Sequence, residues 1–126
     1  MSHVQLLDVS VLNLVFLVNG TVIKRKEIIM SVNVILDLQV SSESREELLS
    51  ILEAILPDTR AYKGCEGIIV THNDDDPQNI VLLEKWNSRA DHESYTAWRG
   101  ERGDLEKLGA LLTAPPQSKY LISEAI

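Results

Sequence analysis

Two short apolar runs, Ile68-Ile69-Val70 and Ile80-Val81-Leu82-Leu83, flank an acidic turn, and they constrain the fold more than any other feature. Both are rich in β-branched and aliphatic residues and have the length of strands. The segment from Asn73 to Pro77 carries Asp74-Asp75-Asp76-Pro77, too polar to bury and unable to continue a strand. The pattern predicts a β-hairpin, with strands from Ile68 to His72 and from Ile80 to Trp86. Gly64 and Gly67 just ahead suit a tight exit from a helix, because glycine accepts positive φ. A half-exposed strand alternates apolar and polar residues. These runs are apolar at consecutive positions, so both faces of the sheet need cover. Helices supply one cover. A second copy of the chain is the economical source of the other, which predicts a sheet-to-sheet homodimer.

The flanking segments complete the pattern. Val32 to Val40 alternates well enough for a strand, with Ile35 the exception. Ser44 and Glu47 have capping-box spacing ahead of a helix through Leu48, Leu52 and Ile55, interrupted at Pro57 and closed by Tyr62 and Gly64. After the hairpin, Ser88 is placed to cap a second helix from Arg89 to about Arg99, with Asp91 and Glu93 suiting its dipole. His92, Tyr95 and Arg99 share one face of it. Gly100 and Gly103 mark a break. Asp104 then caps a short helix with Leu105, Leu108, Leu111 and Leu112 as its apolar stripe, stopped by Pro115-Pro116. Lys119 to Glu124 reads as the last strand. The order β-α-β-β-α-β is that of an α+β, ferredoxin-like antiparallel sheet with helices on one face.

With 126 residues the chain makes one domain. A formal net charge of −7 argues against nucleic acid or an anionic membrane as partner. The single cysteine, Cys65, excludes an internal disulfide and leaves no Cys-x-x-Cys pair, so a reducing cytoplasm is the default location. It is expected as a small buried hydrophobe rather than a nucleophile. The run from Val9 to Val18 is too short to span a bilayer and lacks the flanks of a signal peptide. Residues 1–29 stand apart from the domain at 30–126. One reading is that translation starts at Met30, since Lys26-Glu27 can be encoded as a ribosome-binding sequence; a chain begun at Met30 is then expected to fold as the full chain does. The other is an accessory hairpin or arm, because Asn19-Gly20 between Val11–Val18 and Thr21–Ile23 suits a type I′ turn.

From Met30 to its end the chain resembles an antibiotic biosynthesis monooxygenase (ABM) domain of the dimeric α+β barrel superfamily. The resemblance rests on Gly64-Cys65-Glu66-Gly67, on Asp75-Asp76-Pro77, and above all on Leu83-Glu84-Lys85-Trp86-Asn87-Ser88-Arg89-Ala90, which is similar to the family's Glu-x-Trp-x-Ser junction between strand and helix. Leu56 to Arg60 and Tyr95 to Arg99 look like a subgroup named for quinol monooxygenase activity. The resemblance implies oxygen chemistry with no flavin, haem or metal, in which a small phenol, anthrone or hydroquinone becomes a quinone. It implies a pocket between sheet and helices in each subunit of a homodimer, with O₂ and a small aromatic as substrates.

The candidate catalytic residues are His72, Tyr95, Arg99 and Trp86. His72 or Tyr95 would move a proton, and Trp86 and Arg99 would hold the anion. Tyr95 stands where many relatives have histidine or tryptophan. Asn33, Arg60, Tyr62, His92 and Trp98 are candidate substrate contacts. Each has a plainer alternative: packing for Trp86, Tyr95, Trp98 and His92, a surface ion pair for Arg99, a solvated hairpin end for His72, and a helix-capping role for Arg60. Asp74-Asp75-Asp76 lacks the ligand spacing of a calcium loop and reads as a solvated turn. No histidine follows His92, which argues against the family's haem-degrading branch. The rival from another class is a non-catalytic dimer that binds a small aromatic or stress metabolite.

Overall fold

The computed structural model describes residues 4–9, 14–18, 21–24 and 31–126. Contacts divide the chain into two units, Met1–Met30 and Ser31–Ile126. In the first, β1 (Val4–Val9), β2 (Leu14–Val18) and β3 (Thr21–Lys24) form an antiparallel sheet in the order β1-β2-β3. Val18 pairs with Thr21, so two residues, Asn19 and Gly20, separate those strands. The turn expected at Asn19-Gly20, like Lys26-Glu27 and Met30, lies outside the described residues. The sequence pattern had not signalled β1.

The second unit runs β4 (Val32–Gln39), α1 (Arg45–Ala61), β5 (Cys65–Asn73), β6 (Asp76–Trp86), α2 (Arg89–Glu101), α3 (Asp104–Gly109) and β7 (Gln117–Ile122). The sheet order is β5-β6-β4-β7, antiparallel throughout. This is the ferredoxin-like α+β arrangement. Strand alternation sends Val32, Val34 and Leu38 of β4, with Ile80, Leu82 and Trp86 of β6, into the core. Leu48, Leu52, Leu56 and Thr59 are the buried stripe of α1. One cluster joins that stripe to Leu38, Val40, Ile68, Ile80 and Leu82. A second gathers Val32, Val34 and Trp86, with Tyr62, Tyr95 and Tyr120 packed around them.

Several local expectations are corrected. Ser44 is the N-cap of α1 but its side chain caps nothing; instead Ser41 Oγ accepts from the Ser44 N–H at 3.2 Å. Pro57 does not interrupt α1, which continues to Ala61. Pro57 and Glu53 are both exposed, so water can serve the Glu53 carbonyl that proline leaves without a donor. The hairpin turn is tighter than Asn73 to Pro77: Asn73 pairs with Asp76, and Asn73 Oδ1 accepts from the Asp75 N–H at 2.9 Å, an Asx turn. Gly64 has φ +90°, whereas Gly67 stays within β5. Gly103, not Asp104, is the N-cap of α3, and β7 begins and ends two residues earlier than expected. Ser88 behaves as read, its Oγ accepting from the Asp91 N–H at 3.1 Å.

The outer face of the sheet, away from the helices, carries apolar side chains at its centre among polar ones such as Asn33, Asp37, Lys85 and Lys119. Ile69 is 63% exposed, and Leu83 and Leu121 are each 42% exposed.

Candidate functional site

On β6 the alternation that buries Ile80, Leu82 and Trp86 also buries Glu84, a residue only 6% exposed on the apolar side of the sheet. A buried carboxylate needs partners. Trp86 supplies one: its indole N–H donates to Glu84 Oε1 at 2.9 Å. His92 Nε2 stands 3.7 Å from the same oxygen, and His92 Nδ1 is 2.7 Å from the Tyr120 hydroxyl. Glu84 Oε2 makes no hydrogen bond to protein among the described residues. Burial raises the Glu84 pKa above the ordinary carboxyl value, and the Trp86 hydrogen bond only partly counters this. Burial lowers the His92 pKa, with Glu93 pulling the other way, so the imidazole favours its neutral form. If Tyr120 donates to Nδ1, the Nε2–H faces Glu84.

Glu84 and His92 line a cavity of about 250 Å³ between the sheet and the helices. Tyr95, Thr59, Thr96 and Ser118 complete its polar lining. The rest is mostly aliphatic: Leu36, Leu38, Leu52, Ile55, Leu56 and Leu82 from one side, with Leu105, Leu108 and Leu112 around α3, where exposed Leu105, Pro116 and Ser118 leave it open to solvent. Such a chamber, apolar with a few converging polar groups, is the usual form of a small-molecule site. A desolvated carboxyl beside a neutral imidazole can take a proton from a bound hydroxyl.

Of the residues named from sequence, only His92 and Tyr95 line the cavity. Trp86 is fully buried behind Glu84, its ring packed against Tyr95 and His92 with centroids 5.1 Å and 5.2 Å away. Its one donor is committed to Glu84, so it is not the group that holds a substrate oxygen. Arg99 is also reassigned. It is 2% exposed, and its guanidinium donates to the Tyr95 hydroxyl (2.8 Å), Asp104 (2.9 Å), the Ile55 carbonyl (2.7 Å) and Thr59 (2.9 Å). It ties α1, α2 and α3 together and does not reach the cavity. Tyr95 presents its ring to the cavity while its hydroxyl stands between Arg99 and Thr59 (2.6 Å), which removes it as a proton carrier.

The remaining candidates lie elsewhere. His72 is exposed on β5 opposite Ile80, four residues from Ile68, the partner of Glu84, hence about 13 Å along the strand. Asn33 pairs with Lys85 and Leu121 on the outer face, and its amide donates to Ser123 at 3.5 Å. Arg60 is exposed and donates to the Ile68 carbonyl at 3.3 Å. Tyr62 and Trp98 pack against each other and Tyr95, with Arg99 and Arg102 over the Trp98 ring. Cys65 is half-buried against both core clusters, and burial pushes its thiol pKa up, away from nucleophilic character.

Sequence reasoning missed Glu84 and Tyr120 as site residues. The signal for Glu84 was there: read with period two, Ile80, Leu82, Glu84 and Trp86 share a face, and one acid on an apolar face stands out. Nothing in the sequence marked Tyr120. Among the described residues no three His, Cys, Asp or Glu side chains gather as a metal site requires, and no helix is long and apolar enough to cross a membrane.

An antiparallel sheet with helices on one side and a mostly apolar cavity between them defines a ferredoxin-like α+β protein with a small-molecule cavity. Residues 31–100 match the sequence profile of antibiotic biosynthesis monooxygenases, so the chain belongs to the ABM family. Solved structures agree on the fold. A conserved protein from Methanosarcina mazei Go1 has TM-score 0.71 at 16% identity, over 76% of this chain and 95% of its own. A structure described as an antibiotic biosynthesis monooxygenase has TM-score 0.66 at 18% identity, over 75% and 98%. A protein from Mycobacterium tuberculosis has TM-score 0.63 at 29% identity, over 76% and 99%. No curated protein gives a significant match.

Proposed function

We propose that this monooxygenase-family chain oxidises a small phenol-type aromatic with O₂ and without a cofactor, as a homodimer joined through its open sheet face. The observation that carries the reading is the Glu84 carboxyl, buried at one end of an apolar cavity with Oε2 unpartnered among the described residues. Glu84 takes the hydroxyl proton of the bound phenol, and His92 and Tyr120 lead from it towards the surface. The aryloxide gives one electron to O₂, and the resulting radical pair joins at the ring carbon opposite the oxygen. Glu84 returns its proton to the terminal peroxide oxygen, and the O–O bond breaks as that carbon loses its hydrogen as a proton, which joins the departing hydroxide as water. Phenol plus O₂ becomes quinone plus water, so no external reductant is needed. The leucines around Glu84 favour this chemistry by limiting the water that reaches the anion.

Oxygen uptake by the full chain with a panel of phenols and anthrones tests the proposal. Uptake with quinone formation, lost in Glu84→Gln, is the expected result. Tight binding without uptake across the panel would instead support a non-catalytic dimer that sequesters a small aromatic.

A further inference from the structure

Most of the polar side chains on the cavity lining are already engaged by protein. The Thr59 and Tyr95 hydroxyls sit with the Arg99 guanidinium. The Thr96 hydroxyl donates to the His92 carbonyl at 3.0 Å, and the His92 ring stands between Tyr120 and Glu84. Two lining groups have no hydrogen-bond partner among the described residues: Glu84 Oε2 and the Ser118 hydroxyl. The sheet fixes where they stand. Val34 pairs with Glu84, and Leu36, the next β4 residue on the same face, pairs with Ser118. Glu84 and Ser118 are thus two strands apart and one alternation step out of line, which puts their Cα atoms about 12 Å apart. A ring with oxygens on opposite carbons and a hydrogen bond of about 2.7 Å at each end spans about 11 Å. Glu84 is the buried end of that span. Ser118 is the exposed end, where the cavity opens beside Leu105 and Pro116.

We infer that Ser118 is the second anchor of the cavity, its hydroxyl binding the oxygen that a ligand carries on the ring carbon opposite the hydroxyl held by Glu84. The inference deepens the proposed function and rests on the same cavity. In that reaction O₂ joins the ring at the carbon opposite the hydroxyl. A ring hydrogen-bonded to Glu84 turns that carbon towards the open end, so the Ser118 hydroxyl stands where the new oxygen appears and donates to it. Binding of a ligand that already carries both oxygens does not require turnover, so the anchor can be tested apart from the oxygenation.

The test titrates the ¹⁵N-labelled full chain under argon with 4-methylphenol and with 1,4-dihydroxybenzene, which differ by a methyl group in place of the second hydroxyl. Amide shifts at Leu36, Leu82 and Thr96 report binding in the cavity. The quantity read is the ratio of the two affinities, in which the doubled chance of the symmetric diol engaging Glu84 is the same for every variant. Ser118→Ala should lower the diol's advantage by threefold to tenfold, the scale of one partly exposed hydrogen bond. Ser118→Thr keeps the hydroxyl and should hold the ratio of the wild type. The inference is overturned if Ser118→Ala moves the ratio by less than about twofold, if Ser118→Thr loses it equally, or if neither phenol binds in the cavity. The expected ratios with no oxygen uptake in air would remove the oxygenase reading and leave the anchor standing. Oxygen uptake with a ratio unmoved by Ser118→Ala would do the reverse.

Discussion

Two buried polar side chains, Glu84 and Arg99, divide the work of the interior, and the sequence distinguished them poorly. Arg99 resembled an anion holder because it shares a helix face with Tyr95. Three of its four hydrogen bonds could not be read from spacing, since their acceptors lie on α1 and α3. Arg99→Ala takes a charged donor from Thr59, the Ile55 carbonyl and Asp104 together and leaves a cavity between the helices, and is expected to cost about 3 kcal/mol in urea unfolding. Glu84 should instead appear in the pH dependence. Its folded pKa is raised above the ~4.3 of an unfolded glutamate. Between those values the folded chain binds the proton more strongly, so stability falls as pH rises through that window. His92 has the opposite sense. Its folded pKa lies below the unfolded ~6.5, so stability is full above that value and is lost as pH falls towards the folded one. Urea midpoints measured from about pH 4 to about pH 8 should lose the first slope in Glu84→Gln and the second in His92→Gln. Oxygenation should rise with pH through the raised Glu84 pKa, since only the carboxylate accepts a proton.

At the level of elements, the alternation of β4 and β6 and the Ser88 cap were legible because each depends on a few neighbouring residues. Helix continuity across Pro57 was not, because packing of Leu48, Leu52 and Leu56 on the sheet outweighs one missing hydrogen bond. The positive φ of Gly64 was legible, but its close approach to α2 was not. It carries the chain from α1 to β5 at φ +90°, its carbonyl accepts from the Asn87 N–H at 2.7 Å, and a Cβ there would collide with the Asp91 side chain. Gly64→Ala should therefore cost about 2 kcal/mol, as strain adds to the clash. Gly64→Ala combined with Asp91→Gly relieves only the clash, since the Asp91 Cβ is among the atoms struck, and thermal melts of both single variants and the double separate the two contributions.

For the whole molecule, the exposed apolar group on the outer face is the feature that composition could not give and consecutive apolar residues did. Ile69, Leu83 and Leu121 remain exposed in a single copy of the chain. If two copies seal this face, Leu83→Asp with Ile69→Asp should halve the mass measured by light scattering while the far-ultraviolet signal of the fold persists. Unchanged mass in the double variant, or a wild type that already runs as one copy, would rule out this face as the seal.

The chamber draws its carboxyl from β6 and its imidazole from α2, but much of its oily wall from β4, α1 and the segment around α3. Reactivity and appetite are thereby written on separate parts of the chain. A lineage, or an engineer, can trade one leucine for another side chain and change which molecule is welcome while leaving the proton acceptor untouched. A modest scaffold of this kind can diversify by small steps, each of which keeps the chemistry running.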